Sequence, residues 1–178
     1  VTMRTLVPGY PGVIDALRRA ETAHAYANLH GEPARLLAAH VAGLDLLVLD
    51  APHLYARPGN PYTGPDGKPW PDNAFRFAAL AACAASVARG GVAGFVPDIV
   101  QAHDWQAGLV PALHHYGGTP RPGTVMTVHN LAFQGQFPRG LLADLGLPPH
   151  AYAVDGVEYF GTIGIPTWMT RLPVARSS

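Results

Sequence analysis

A chain of 178 residues has room for one ordinary domain and not for two large ones. Twelve Lys and Arg balance twelve Asp and Glu, and 48% of residues are hydrophobic against 13% charged, which excludes the basic excess of a nucleic-acid binder and the composition of a disordered tail. The single cysteine, Cys83, excludes an internal disulfide or a cysteine-based zinc cluster and reads as apolar filler on a helix of a cytoplasmic protein.

Val1–Val7 reads as a short strand running into a turn, Pro8-Gly9-Tyr10-Pro11-Gly12. Val13–Ala27 places Val13, Leu17 and Ala20 at helical spacing, which predicts a helix. Ala34–Val41 and Leu44–Asp50 are apolar runs separated by Ala42-Gly43, a hairpin signal. The second run is nearly continuous, as in a strand buried on both faces. Ala51–Pro71 holds six prolines and three glycines and reads as a long functional loop. Its Tyr55, Tyr62 and Trp70 suggest that it packs onto something.

Asp72 or Asn73 is a natural N-cap for the helix that runs to Arg89, and Arg76 stands one turn from Asp72 as an ion-pair partner. Asp98–Ala102 reads as a strand, Trp105–Tyr116 as a helix closed by Gly117-Gly118, and Thr124–Val128 as a second strand. Strand, helix and strand in that order predict a βαβ unit and a parallel sheet, so the fold class is α/β with flanking helices. No apolar run reaches the roughly 18 residues of a membrane span. Residues 1–20 lack a charged-then-apolar signal pattern.

Ligands of open parallel sheets bind outside the carboxyl ends of the strands. Two strands here end in His103-Asp104 and His129-Asn130. If those strands are neighbours, both histidines project at one sheet edge. Asp104 has two open roles, N-cap of the next helix or a cleft carboxylate for sugar hydroxyls. Asp72 has the same two. Other motifs fail. Gly59-Asn60-Pro61-Tyr62-Thr63-Gly64 has phosphate-loop glycine spacing, but Pro65 stands where lysine is needed. His114 and His115 are adjacent on a helix and point to different faces. Three serines and no Gly-x-Ser-x-Gly elbow weaken a serine-hydrolase reading. No metal is implied.

His103-Asp104-Trp105 and Thr127-Val128-His129-Asn130-Leu131-Ala132-Phe133-Gln134-Gly135 resemble bacterial glycogen synthases and plant starch synthases, the ADP-glucose-dependent glucan synthases. Flanking pieces agree in order: Leu6-Val7-Pro8-Gly9-Tyr10-Pro11, the loop from Asp50 to Tyr62, Asp72-Asn73 with Arg76-Phe77, and Asp155-Gly156-Val157-Glu158-Tyr159. The resemblance covers roughly residues 3–164. It implies a two-domain glycosyltransferase of GT-B type with Rossmann-like domains, of which residues 1–164 are a partial N-terminal domain. It also implies retaining transfer of glucose from ADP-glucose to the non-reducing end of an α-1,4-glucan, with no cofactor beyond the donor substrate. On the same ground His103 lies at the donor glucose and stabilises the transition state. Asp72, Asn73, Asp104, His129, Asn130 and Gln134 lie on the sugar side of the cleft, and Tyr55 and Tyr62 are candidates for stacking on the glucan.

The chain departs from that pattern in three places. It starts at Val1, after the position of the family's first strand and Lys-Thr-Gly-Gly loop, which predicts a gap or an unpaired edge in the sheet. Gln101 stands where the family has the first histidine of His-Ala-His-Asp-Trp. Residues 165–178 fit neither the family nor a clean helix and read as a tail of different origin. The expectation is that this polypeptide alone has negligible synthase activity. Another two-domain glycosyltransferase using UDP-glucose or a different acceptor, a non-catalytic glucan-binding module and a chain that does not fold are the competing readings.

Overall fold

The computed structural model describes residues 2–118, 122–130 and 132–164. The predicted tail, residues 165–178, lies outside them, as do Val1 of the first predicted strand and Leu131 of the second histidine motif. The chain divides into two compact units, Val1–Pro97 and Asp98–Ser178.

In the first unit, β1 (Thr5–Pro8) leads through a short helix α1 (Pro11–Ala16) into β2 (Ala20–Leu29), β3 (Glu32–Val41) and β4 (Leu44–Asp50). A one-turn helix α2 (Pro52–Tyr55) and the long helix α3 (Asn73–Ala88) follow. The four strands form one sheet in the order β1-β4-β3-β2. β1 pairs with β4 in parallel, Thr5 opposite Leu46 and Pro8 opposite Leu49. The β2–β3 and β3–β4 pairs are antiparallel.

The Ala42-Gly43 hairpin forms as predicted. Both residues take positive φ, 52° and 83°, the backbone that a two-residue turn between twisted strands requires. The helix expected over Val13–Ala27 is corrected: only Pro11–Ala16 is helical, and Ala20–Leu29 is a strand. That strand carries register shifts between Thr22 and His24 and between Tyr26 and Leu29. An extra residue at a bulge breaks the period-two alternation that marks a strand. Its alanines, which favour helices, then dominate the local reading.

The core of this unit lies between the sheet and α3. Leu36, Leu47, Leu49, Tyr55, Ala79 and Cys83 share one buried cluster. Val48, between Leu47 and Leu49, is equally buried and points to the other side of the sheet by the period of two. The expectation of a strand buried on both faces holds for this part of β4. The helix packs closely because its buried face is largely alanine. His53 donates Nε2–H to the Leu29 carbonyl at 2.9 Å, fastening α2 to the end of β2.

Cys83 sits in this core with the Tyr26 hydroxyl donating to its sulfur at 3.2 Å. Burial pushes the thiol up from near 9 to about 11. In the unfolded chain the thiol ionises first, so folding stability is intact below about pH 9 and falls as pH rises toward 11. The slope is about 1.4 kcal/mol per pH unit. Urea unfolding between pH 8 and 10, below the range where the buried tyrosines add their own loss, should show this decline, and Cys83→Ala should flatten it. A slope unchanged by that substitution would place the thiol outside the titration.

In the second unit, β5 (Ile99–His103) is followed by α4 (Asp104–Ala107), α5 (Leu109–Tyr116) and β6 (Gly123–Thr127). β5 and β6 are parallel neighbours, Ile99 opposite Gly123 and His103 opposite Thr127. The predicted βαβ unit is therefore present. The single predicted helix over Trp105–Tyr116 is interrupted at Gly108. Pro111 explains the break, since its ring crowds the carbonyl four residues back and it has no N–H to donate. Gly118, with φ 84°, follows the helix end as expected. The Nδ1 of buried His114 lies 2.9 Å from the Thr124 hydroxyl and ties α5 to β6. Beyond β6, β7 (Gln136–Pro138), β8 (Glu158–Tyr159) and β9 (Thr162–Gly164) form a small antiparallel sheet in the order β7-β9-β8. Among the described residues no helix is long and apolar enough to cross a membrane.

Candidate functional site

The parallel register of β5 and β6 delivers the expected convergence. His103 is the last residue of β5, and His129 lies two residues past the end of β6. Their rings stack, with centroids 5.4 Å apart and planes 13° from parallel. Both side chains are exposed. Gln101, two residues before His103 on the same strand face, donates its amide to the Thr127 hydroxyl at 2.9 Å. It thereby ties the two strands together just below the histidines.

Asp104 does not cap the helix that it opens. The N-cap position belongs to His103, whose side chain makes no capping bond. The Asp104 carboxylate instead takes the His129 backbone N–H on Oδ1 at 2.7 Å and the His129 ring on Oδ2 at 2.8 Å. The donated backbone N–H holds the Asp104 carboxyl below its usual range, and the ring hydrogen bond pulls in the same direction. Asp104 makes this reach from a left-handed backbone, φ 53°. For a residue with a side chain that conformation is strained by roughly 1–3 kcal/mol.

Asn130 and Gln134 lie on the loop after β6. The Asn130 side-chain oxygen accepts the Ala132 N–H at 2.9 Å, shaping a tight turn. Gln134 stands two residues before β7 and receives the Gln136 amide at 3.5 Å. The next residue, Gly135, has φ 53°. A Cβ there would lie 2.5 Å from Cε3 of Trp105. Glycine is thus required for the loop backbone to press against the indole, and the two sequence motifs are knit together at this contact.

The other predicted residues lie in the first unit, which also holds a pocket of about 360 Å³ whose lining includes Tyr10, Tyr55, Arg57, Asn60, Pro61 and Arg76; of the predicted residues, Tyr55 belongs to that lining. Asp72 pairs with Arg57, not with Arg76 as its spacing suggested. Both guanidinium ends reach the carboxylate, at 2.9 and 2.8 Å. A planar fork matches a carboxylate well, and the loop geometry puts Arg57, not Arg76, opposite it. Asn73 is buried with both ends of its amide bonded, Nδ2 to the Tyr62 carbonyl and Oδ1 to Arg76. Tyr62 is 47% exposed and keeps a ring open to a ligand.

Tyr55 is corrected. It is fully buried, and its hydroxyl donates to the Arg76 carbonyl at 2.6 Å. α2 turns the residue inward onto α3. Burial also raises its hydroxyl well above the ordinary value. The sequence reading gave Arg57 no role. Its signal is a lone arginine in a proline-rich loop that ends at an aspartate.

The α/β scaffold with paired histidines at the carboxyl ends of adjacent parallel strands is of the open-sheet class, in which ligands bind at those strand ends. The family model of the starch synthase catalytic domain matches residues 1–171. This chain belongs to that family. It is 68% identical over 164 residues to a glycogen synthase of Rhodopseudomonas palustris strain BisB18, covering 92% of this chain and 34% of that relative. A glycogen synthase of Methylocella silvestris is 59% identical over the same share of both chains. The catalytic domain of Starch Synthase IV from Arabidopsis thaliana, solved with ADP and acarbose, superposes with a TM-score of 0.72 at 21% identity. That match covers 93% of this chain and 35% of the other. The chain thus spans about a third of the length of the curated relatives it matches. The α/β class and the family resemblance inferred from the motifs both hold.

Proposed function

We propose that this chain is the sugar-side part of a cytoplasmic glycosyltransferase that moves glucose from ADP-glucose to the non-reducing end of an α-1,4-glucan, retaining the anomeric configuration. The observation that carries the reading is the stacked His103–His129 pair at the carboxyl ends of β5 and β6, in a chain whose family is that of starch synthases.

In this reading His103 meets the donor glucose and stabilises charge that develops as the glycosidic bond breaks. Preorganised donors act most strongly where charge appears only in the transition state. His129, Asn130 and Gln134 line the sugar side, and Tyr62 supplies a stacking face to the glucan. Asp72 and Asn73 contribute through the Arg57 and Arg76 contacts that set the shape of the loop above them. Residues 1–164 act as part of a catalytic domain, and the 178-residue chain by itself turns over negligibly.

The test is a segment exchange. Residues 1–164 replace the matching segment of the Rhodopseudomonas palustris strain BisB18 glycogen synthase, and glucose transfer to glycogen is followed with ADP-glucose and UDP-glucose in competition. The expected result is an active chimera that prefers ADP-glucose, beside a 178-residue chain with no measurable transfer. A chimera that binds glycogen on native affinity gels without turnover would replace the catalytic reading with a glucan-binding module.

A further inference from the structure

We propose that Asp104 is a positioning residue and not a sugar ligand: its carboxylate holds the backbone and ring of His129 together, and so sets the tautomer and the stacked pose that His129 offers to His103. The proposal rests on the reading that His103 meets the sugar.

Three observations carry it. Both carboxylate oxygens accept from His129, at 2.7 Å and 2.8 Å, and the Asn130 backbone N–H lies beside the same carboxylate. A carboxylate with a depressed pKa only accepts, so the His129 Nδ1 must carry the proton, which leaves Nε2 as the free ring edge. The His129 side chain is 61% exposed, so packing does not fix it, and the two bonds to Asp104 do. The third observation is the left-handed backbone of Asp104. Strain of this kind persists only where surrounding contacts demand it, and here the demand is the reach to His129. The consequence is a wall behind His103: a flat imidazole lying 13° from parallel with it, which restricts the rotation of an exposed ring.

The test uses ring nitrogen NMR on the 178-residue chain, with kinetics in the segment-exchanged synthase. In the unsubstituted chain the expected signals are the Nδ1–H tautomer at His129 and a through-space contact between the two imidazoles. Asp104→Asn keeps an acceptor for the backbone N–H and tolerates the left-handed backbone. It presents an N–H to the His129 ring, so the ring should stay in place and switch to the Nε2–H tautomer. Asp104→Ala should lose the ring contact. Should it fail to fold, Asp104→Gly removes the same carboxylate while relieving the backbone strain.

In the chimera, Asp104→Asn should lower kcat on the order of ten-fold, the worth of one charge-assisted hydrogen bond, with KM for the donor nearly unchanged. An Nε2–H tautomer in the unsubstituted chain, or a ring contact that survives Asp104→Gly, overturns the proposal. A rise in KM at constant kcat also overturns it, since that is the signature of a sugar ligand. An inactive unsubstituted chimera would count against the transferase reading alone, because the NMR result decides the clamp without turnover.

Discussion

Replacing Arg76 by alanine should destabilise the chain by about 3–5 kcal/mol, the scale of breaking a buried hydrogen-bond network, and a large share of the roughly 5–15 kcal/mol that holds a typical domain. The side chain is 1% exposed. Its Nε donates to the Leu54 carbonyl at 2.8 Å, and Nη1 donates to the Pro61 carbonyl at 2.8 Å and to Asn73 Oδ1 at 2.7 Å. Burial lowers its pKa, the mark of a charge taken partly out of water. The rings of Tyr10, Tyr55 and Phe77 surround it, with centroids between 5.7 and 5.9 Å from the guanidinium carbon.

One guanidinium therefore fastens α2, the proline-rich loop and the first turn of α3. Truncation leaves three acceptors short of a donor and opens a cavity beneath the loop, and the separate contributions overlap because they belong to one network. Arg76→Lys keeps the charge and loses the fork, so it should cost less than alanine and more than a surface change. Guanidinium chloride unfolding of the two variants decides the matter. A loss under about 1 kcal/mol for alanine would show that water replaces the side chain without penalty.

His103→Ala should have the largest effect on turnover and a small one on stability. In the segment-exchanged synthase, transfer should fall by roughly 10²–10³-fold, the range seen when one preorganised transition-state donor is removed. The unfolding midpoint should hold steady, because His103 is exposed and its ring contact is with another exposed ring. The two measurements belong together: a large kinetic loss at constant stability marks direct participation. A loss under ten-fold would move the chemistry elsewhere.

What was legible in the sequence is what short-range chemistry controls. Ala42-Gly43 predicted its hairpin because the turn needs two positive φ values and sits between apolar runs. The histidine pair was legible because strand ends in parallel sheets are where ligands go. The missed features depend on partners distant in the chain. β2 was hidden by bulges whose cause is its pairing with β3. The pairing of Asp72 was misassigned because helix spacing names Arg76, whereas the folded loop brings Arg57 from fifteen positions away. Tyr55 was read as packing onto something and as a stacking candidate, and a one-turn helix rotates it into the core. Asp104 was open between a cap and a cleft carboxylate, and its partner lies 25 positions on.

The backbone of Asp104 carries one more consequence, for how this position tolerates change. Two independent filters act there. A φ of 53° favours glycine and, at a smaller cost than for other side chains, asparagine and aspartate, and it disfavours branched side chains most. The double grip on a neighbouring main-chain N–H and imidazole N–H demands two anionic oxygens on a short stem, which glycine lacks and asparagine half supplies. Glutamate supplies the oxygens on a stem one methylene too long for the same reach. Only one of the twenty amino acids passes both filters, so a library randomised at position 104 and selected for function should return aspartate almost alone, while the neighbouring exposed positions drift.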